Sequence, residues 1–183
     1  MGGLPNWASG GAARPECAAP ALAILGSAPG DVRMASLVRR LTAGLACEVV
    51  DLGAVSIAPF SPAQNYGPDS FLDLIARMAE APVTVFATPV YWFSYSAVMK
   101  GFIDRFTDLQ LTHRQLGGRL RGREFALLAS GSEAELEPAL NLAFSRFCDS
   151  IGARCIALVY AQADGPFADA DAAMLLRRAM GEA

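Results

Sequence analysis

Residues 87–106 read ATPVYWFSYSAVMKGFIDRF, and this stretch decides how the rest of the chain is interpreted. The apolar run at its start is typical of a buried strand that ends in a Thr-Pro turn. The aromatic pair Tyr91 and Trp92 follows the turn, and an amphipathic helix is predicted to begin behind Ser94 and Ser96. Because open α/β sheets bind ligands at the carboxyl ends of parallel strands, the segment predicts a ligand-binding loop. Two large aromatic side chains there suit a flat ligand that can stack on them better than they suit a sugar or a metal.

Apolar runs and amphipathic segments alternate on both sides of this stretch. The predicted strands are Leu22–Gly26, Glu48–Leu52, Val83–Ala87, Glu124–Ala129 and Cys155–Tyr160. The predicted helices are Asp31–Ala46, Asp69–Ala81, the helix behind Ser96 that runs to about Leu109, Glu133–Ile151 and Ala168–Met180. A polar, glycine-containing connection is predicted over 110–122.

A helix after every strand is the pattern of repeated βαβ units. The strands are almost continuously apolar, as expected for a parallel sheet that is covered on both faces. The chain is therefore predicted to form a three-layer α/β domain around a doubly wound five-stranded parallel sheet with strand order 2-1-3-4-5. In that order the ligand crevice lies where the strand order reverses.

The amino-acid composition limits the classes of protein to which the chain can belong. The chain has 183 residues, 53% of them hydrophobic and 18% charged, which predicts one compact domain. We place it at 21–183, behind a disordered lead-in at 1–20 that is rich in Gly, Ala and Pro. The net charge of −3 argues against a nucleic-acid partner. No apolar run is long enough for a membrane span and no secretory signal is evident, so we expect a cytoplasmic protein.

The four cysteines, Cys17, Cys47, Cys148 and Cys155, contain no Cys-x-x-Cys pair. This argues against a thioredoxin-type site, a zinc ribbon or an iron–sulfur cluster. We interpret them as free thiols in a reducing compartment. Cys148 and Cys155 flank a predicted helix-to-strand connection and can be close in space, but their sequence positions do not make them a disulfide.

Two further loops are predicted to meet the aromatic loop at the same edge of the sheet. The first, Gly26–Asp31, leads from a strand into a helix, and the free N–H groups of such a turn suit a phosphate. It lacks the Walker and Rossmann spacings, and a plain connection capped by Asp31 is an equally good interpretation. The other, 130–132, has small residues that let a ring approach the backbone. It is alternatively only the start of the Glu133 helix.

The sequence resembles the NAD(P)H-dependent FMN reductases, a family of flavodoxin-like flavoproteins, over roughly residues 22–162 and most closely over 83–106. In that family the backbone of the aromatic loop lies along the isoalloxazine ring. The first loop departs from the family pattern, because relatives usually have Asn and Thr where this chain has Arg33 and Met34, and Arg or Ser in place of Pro29. Arg33 can compensate through a charge-assisted hydrogen bond worth about 1.5–3 kcal/mol. The Asp31 carboxylate can instead occupy the amides that a phosphate needs.

The resemblance implies FMN as cofactor and NAD(P)H as co-substrate, with no catalytic side chain of the protein's own and no metal. The residues it implies for cofactor binding come from the three loops. They are Ser27, Gly30, Asp31, Val32, Arg33, Met34, Pro89, Val90, Tyr91, Trp92, Phe93, Ser130, Gly131 and Ser132. The alternative for the three consecutive aromatics is that they belong to the core or to a subunit interface. His113, the single histidine, is predicted to face solvent.

The helix after the aromatic loop carries two further expectations. Lys100, Asp104 and Arg105 are predicted to form surface ion pairs. Its apolar residues exceed what one core-facing stripe requires, and the corresponding helices form dimer contacts in the family that the sequence resembles. We therefore expect a homodimer or homotetramer.

The leading hypothesis is an FMN-dependent NAD(P)H oxidoreductase that reduces a quinone, free flavin or similar small acceptor. The alternative is a flavodoxin-like binding or regulatory module that has lost FMN. A one-electron flavodoxin carrier is disfavoured, since such carriers are usually strongly acidic.

Overall fold

The computed structural model describes residues 19–132, 138–162, 165–168 and 170–181. The strands in these ranges are β1 (Ala21–Leu25), β2 (Cys47–Asp51), β3 (Val83–Tyr91), β4 (Ser94–Tyr95), β5 (Glu124–Gly131) and β6 (Arg154–Gln162). The helices are α1 (Val32–Thr42), α2 (Phe71–Glu80), α3 (Ala97–Asp104), α4 (Phe106–Leu111), α5 (Arg114–Gly118), α6 (Pro138–Ile151) and α7 (Ala170–Ala179). The predicted lead-in at 1–20 lies almost entirely outside the described residues, as does the predicted start of the helix at Glu133.

The five long strands form a parallel sheet in the order β2-β1-β3-β5-β6. This is the predicted order 2-1-3-4-5 once the two-residue β4, which pairs antiparallel with the end of β3, is set aside. The order reverses between β1 and β3, so the expected ligand crevice lies beyond the carboxyl ends of these two strands and of β5.

Helices cover both faces of the sheet, which explains the continuously apolar strands. On one face α1 and α7 pack over alternate residues of the strands, including Ala126, Leu128 and Val159. On the other face α2, α3, α4 and α6 enclose a core that is rich in phenylalanine. Phe86 lies near the centre of that core, with the rings of Phe125 and Phe144 at centroid distances of 5.1 and 5.4 Å.

Three strands are longer than the sequence predicted. β3, β5 and β6 continue to Tyr91, Gly131 and Gln162, which carries the regular sheet into the predicted loops. Helix α1, in contrast, ends at Thr42 rather than near Ala46, because Gly44 adopts the left-handed conformation that terminates helices, with φ of +77°. The longer strands place the site on rigid elements.

The predicted helix up to Leu109 is divided into α3 and α4 at Arg105, and the predicted connection over 110–122 contains α5. The prediction that Arg105 pairs at the surface is wrong, since its residue exposure is 2%. Lys100 and Asp104 do form the expected exposed ion pair, at 2.5 Å. Helical spacing placed Arg105 beside them, but its side chain turns inward where the helix breaks.

Arg105 is the centre of a buried cluster formed with Asp69, Asp108, Tyr66 and Phe71, which we call the Arg105 cluster. Its Nη1 donates to Asp69, and its Nε donates to Asp108 Oδ2 at 2.7 Å. The guanidinium carbon lies 3.6 Å from the centroid of the Tyr66 ring and 4.6 Å from that of Phe71. Burial by itself would raise the pKa of Asp69. The hydrogen bond and charge of Arg105, together with two backbone N–H groups, lower that pKa below its usual value.

Candidate functional site

The three predicted loops meet at one edge of the sheet around a cavity of about 250 Å³. Nine of the fourteen predicted binding residues line it: Asp31, Arg33, Met34, Pro89, Val90, Tyr91, Ser130, Gly131 and Ser132. Asp31, Arg33 and Met34 follow β1, the residues at 89–91 end β3, and those at 130–132 lie at the end of β5. A cavity of this size is somewhat below the roughly 300–1,000 Å³ of typical small-molecule sites, so a large ligand would extend beyond its mouth.

The other five predicted residues belong to the same loops but do not line the cavity. Ser27 is buried beneath the first loop, and Gly30 forms the turn itself, with φ of +83°. Val32 is 72% exposed on the outer side of α1. Trp92 and Phe93 lie at the tip of the β3–β4 hairpin, exposed by 93% and 58%. Their exposure contradicts the alternative in which they are core aromatics.

Asp31 uses the first amides of helix α1. Its Oδ1 accepts hydrogen bonds from the backbone N–H groups of Arg33 at 3.1 Å and Met34 at 3.3 Å. An aspartate cap satisfies N–H groups that an anion would otherwise bind. The sequence left open whether Asp31 occupies these amides, and in this structure it does. The exposed Arg33 side chain is the cation among the residues that line the cavity.

The aromatic segment forms a β-hairpin with a two-residue turn, which was not predicted from the sequence. Val90 pairs with Tyr95 and Tyr91 with Ser94, so Trp92 and Phe93 are the whole turn. Both have positive φ, 49° and 62°. Tight hairpins need this conformation at both turn positions and normally fill them with Asn and Gly. A bulky residue there costs about 1–3 kcal/mol, a strain typical of functional sites.

Ser96 connects the loop after β1 with the aromatic segment at the end of β3. Its Oγ accepts from Met99 N at 3.0 Å as the N-cap of α3 and donates to the carbonyl of Gly26 at 2.6 Å. Its backbone N–H donates to Thr88 Oγ1, whose hydroxyl in turn donates to the Pro89 carbonyl. Helix α3 begins at Ala97, behind Ser94 and Ser96 as predicted; Ser96 is its N-cap, and Ser94 belongs to β4.

The third loop is supported by the end of β6. A Cβ added to Gly131 would lie 3.0 Å from Tyr160 Oη and 3.3 Å from Val90 Cβ, so glycine is what lets these elements approach. Gln162 Nε2 donates to the Ser132 carbonyl at 3.0 Å. Tyr160 and Gln162 were not among the predicted site residues. The signal was available, since the last strand ends at the same edge of the sheet as the others.

Other candidate chemistry lies away from the cavity. His113 is exposed, as expected. In the described ranges no three His, Cys, Asp or Glu residues are grouped so that they can hold a metal ion. None of the helices in those ranges combines the length and apolar character that crossing a bilayer requires.

Residues 21–161 match the family model of the NADPH-dependent FMN reductases. The chain belongs to this family. The match covers both core faces and all three loops, and it confirms the resemblance found in the sequence. Flavodoxin-like proteins also occur among the structures with the same fold.

Curated relatives match over shorter segments. The FMN-dependent NADH:quinone oxidoreductase of Legionella pneumophila is 33% identical over 76 residues, 39% of this chain and 37% of that protein. The Bacillus subtilis protein YwqN, whose name describes an NAD(P)H-dependent FMN-containing oxidoreductase, is 40% identical over 49 residues, 27% of this chain and 25% of that protein. The chain thus spans between a quarter and two fifths of the length of these relatives.

Solved structures share the fold. The Trp repressor binding protein of Bacillus subtilis superposes with a TM-score of 0.66 at 19% identity, covering 89% of this chain and 99% of that one. RosB, solved with the bound intermediate 8-demethyl-8-formylriboflavin-5'-phosphate, superposes with a TM-score of 0.65 at 16% identity. The superposition covers 90% of this chain and 77% of that one. At these identities the similarity establishes the flavodoxin-like architecture.

The residues around the cavity fit FMN, the cofactor that the family name implies. At one side Gly131 and the two serines next to it leave room for a flat ring to approach the backbone of the third loop. At the other side Arg33 supplies a cation for a phosphate. The amides of Arg33 and Met34 are already bonded to Asp31, so the phosphate end has fewer free donors than an uncapped helix start.

Proposed function

We propose that this protein is an FMN-dependent NAD(P)H oxidoreductase that reduces a quinone, free flavin or similar small acceptor. The observation that carries the proposal is the meeting of three loops around one cavity, with a cation at one end and small residues at the other. Family membership and the names of the curated relatives support the same chemistry. Bound flavin would supply the hydride chemistry, and the protein would supply binding and orientation.

The chain's own residues would hold and orient the cofactor. The backbone from Pro89 to Tyr91 would flank the ring, and Gly131 would let the third loop lie against it. Arg33 would neutralise the phosphate from the exposed side of α1. Ser96 would keep the first two loops at a fixed separation, because it is bonded to both.

Substrates would approach over the hairpin tip. Trp92 and Phe93 directly follow Tyr91, which lines the cavity, and their side chains are largely exposed. Aromatic faces favour flat partners, and nicotinamide and quinones are both flat. We therefore propose that the tip forms a wall against which the co-substrate and the acceptor bind in turn.

The second candidate is a flavodoxin-like binding or regulatory module that does not retain FMN. Asp31 is the observation that favours it. Its carboxylate occupies two amides at the phosphate end and would also place a negative charge beside a negatively charged phosphate.

Steady-state kinetics separate the two candidates. The full-length protein, supplied with FMN, is assayed for NADPH and NADH oxidation with a quinone and, separately, with free riboflavin as acceptor. Turnover that requires both FMN and an acceptor supports the oxidoreductase, and the better acceptor identifies the substrate class. Protein that oxidises neither nucleotide and binds no FMN supports the second candidate.

A homodimer or homotetramer remains part of the proposal, on a different basis from the sequence argument. Phe102 and Phe106 are buried in the core of their own chain, and Ile103 packs against it, so they are not a surplus for a partner. Support comes instead from an apolar depression of about 350 Å³ beside α3, whose walls include Pro29, Ile57 and other apolar residues.

The free thiols of Cys47, Cys148 and Cys155 fit the proposed cytoplasmic location.

A further inference from the structure

Cys148 and Cys155 do not line the cavity; they lie where helix α6 ends and strand β6 begins. Cys148 is fully buried near the end of α6, while Cys155 is exposed on β6, the edge strand of the sheet. The interaction between the two thiols shifts the pKa of both, and Ser145, one helical turn before Cys148, contributes to the shift at Cys155. Both sulfurs are free thiols.

A tight connection brings the two residues together. Gly152 adopts the left-handed conformation, with φ of +74°, and reverses the chain directly after α6. Ala153 N–H donates to the Cys148 carbonyl at 3.0 Å, which closes the end of the helix. The strand therefore begins alongside the last turn of the helix that it has just left.

A β-bulge then turns the Cys155 side chain toward the helix. Phe125 pairs with Cys155 but Ala126 pairs with Ala157, so Ile156 is an extra residue in β6. Ile156 and Ala157 both pack on the face covered by α1 and α7. Because side chains on a strand alternate, this places Cys155 on the opposite face, which α6 covers. Without the extra residue, Cys155 would point away from Cys148.

We propose that Cys155 and Cys148 are a peroxide-oxidised thiol pair, in which the exposed sulfur of Cys155 attacks the peroxide and the buried thiol of Cys148 resolves the product to a disulfide. In the first step the Cys155 thiolate bonds to one oxygen of hydrogen peroxide and the O–O bond breaks. The second oxygen leaves as hydroxide and takes up a proton, and Cys155 becomes a sulfenic acid. In the second step Cys148 loses its proton and bonds to the Cys155 sulfur, the S–O bond breaks, and water leaves. Two thiols are oxidised and one peroxide is reduced to two waters.

The charge distribution suits this order of events. The hydrogen bonds from Cys148 and Ser145 outweigh burial and the nearby Asp149 carboxylate, and lower the pKa of Cys155 to about 7. The same hydrogen bond raises the pKa of Cys148, with burial as the second cause. Once Cys155 is an uncharged sulfenic acid that first cause disappears, so Cys148 becomes easier to deprotonate. Burial raises the pKa of Tyr95 above its usual value, and the charges of the two thiols are the further causes.

Intact mass and peptide mapping of the peroxide-treated full-length protein test the assignment. Arg154 lies between the two cysteines, so trypsin separates them and a disulfide appears as two joined peptides that reduction releases. We expect that joined product in the wild type. Cys148→Ser should stop at a sulfenic acid that dimedone traps on Cys155, and Cys155→Ser should leave Cys148 reduced. A wild type that oxidises at Cys47 first, or not at all, would overturn the proposal.

The pH dependence of alkylation tests the role of Cys148 separately. In the wild type the iodoacetamide reaction at Cys155 should have its midpoint near pH 7. Cys148→Ala removes the donor, and the midpoint should move toward the ordinary thiol value of about 8.5. Cys47→Ser is the matched control and should leave the midpoint unchanged, because burial raises the pKa of Cys47 to about 11 and keeps it unreactive. An unchanged midpoint in Cys148→Ala would contradict the pairing, and neither test depends on FMN.

Discussion

The rim of the cavity and the Arg105 cluster reverse the usual distribution of polar and apolar residues. At the rim, formed by 27–34, 89–95 and 130–132, two large aromatic side chains are exposed in a strained turn. In the Arg105 cluster three charged side chains are buried and bonded to one another. The first arrangement lowers stability and leaves groups free for a ligand. The second satisfies its groups within the protein, so we expect changes there to affect folding rather than binding.

The largest expected effect is on stability. Arg105→Ala would leave two buried carboxylates without their cation, a change that costs about 3–5 kcal/mol. Urea unfolding measures the loss, and Lys100→Ala, which removes a partner of an exposed pair, is the matched control with an expected loss below about 1 kcal/mol. FMN affinity of the folded fraction should be almost unchanged. A large loss of affinity with little loss of stability would reverse the comparison.

The loss of stability at acid pH is a second test of the Arg105 cluster. The pKa of Asp69 is lowered in the folded protein, so its contribution is present above the unfolded value of about 3.9 and is lost as the pH falls through the folded value. Asp69→Asn should be less stable at neutral pH and should lose less of its remaining stability below about pH 4. Unfolding measured from neutral to acid pH checks this. Parallel curves for wild type and variant would show that Asp69 is not a source of the acid sensitivity.

At the rim the largest effect should be on binding. Arg33→Ala removes a charge-assisted bond to the phosphate worth about 1.5–3 kcal/mol, which is at least a tenfold loss of FMN affinity. Arg39→Ala, on the exposed surface of the same helix, is the matched control. Both variants should unfold at the wild-type urea concentration. Equal FMN affinity in the two variants would remove Arg33 from the binding site.

The strained turn should show a gain in stability together with a loss of function. Replacing Trp92-Phe93 with Asn-Gly supplies the residues that the turn prefers and should stabilise the protein by about 1 kcal/mol. That corresponds to a rise in melting temperature of about 2–4 °C for a domain of this size. Turnover with a quinone should fall, because the aromatic wall is gone. A destabilised variant with normal turnover would show that the exposed aromatics serve folding instead.

The smallest effect should be a gain of affinity. Asp31→Asn keeps a side chain that caps helices equally well but removes a negative charge beside the phosphate. One such charge at about 4 Å in water is worth about 1 kcal/mol, or roughly fivefold in FMN affinity. Asp73→Asn in the first turn of α2 is the control and should leave affinity unchanged. Weaker binding in Asp31→Asn would mean that the carboxylate helps to hold the ligand.

Local patterns predicted the strands and the three loops, and the strand order came from the flavodoxin-like arrangement that five such βαβ units fit. Strand and helix periodicity, together with the rule that ligands bind at carboxyl ends of parallel strands, placed Pro89 and Gly131 at one edge. Arg105 was misjudged because its principal partner, Asp69, lies 36 residues earlier in a turn-rich segment with no periodicity. The hairpin was missed because Trp-Phe is not a turn signal and only the strain of the folded chain reveals it.

FMN binding itself is measured by titrating FMN into cofactor-free full-length protein and following the quenching of flavin fluorescence. If the rim binds the isoalloxazine ring and the phosphate as proposed, quenching should saturate at one FMN per chain and weaken in Arg33→Ala. Fluorescence that stays at the level of free FMN in the wild type and in Asp31→Asn would show that the three loops do not bind FMN.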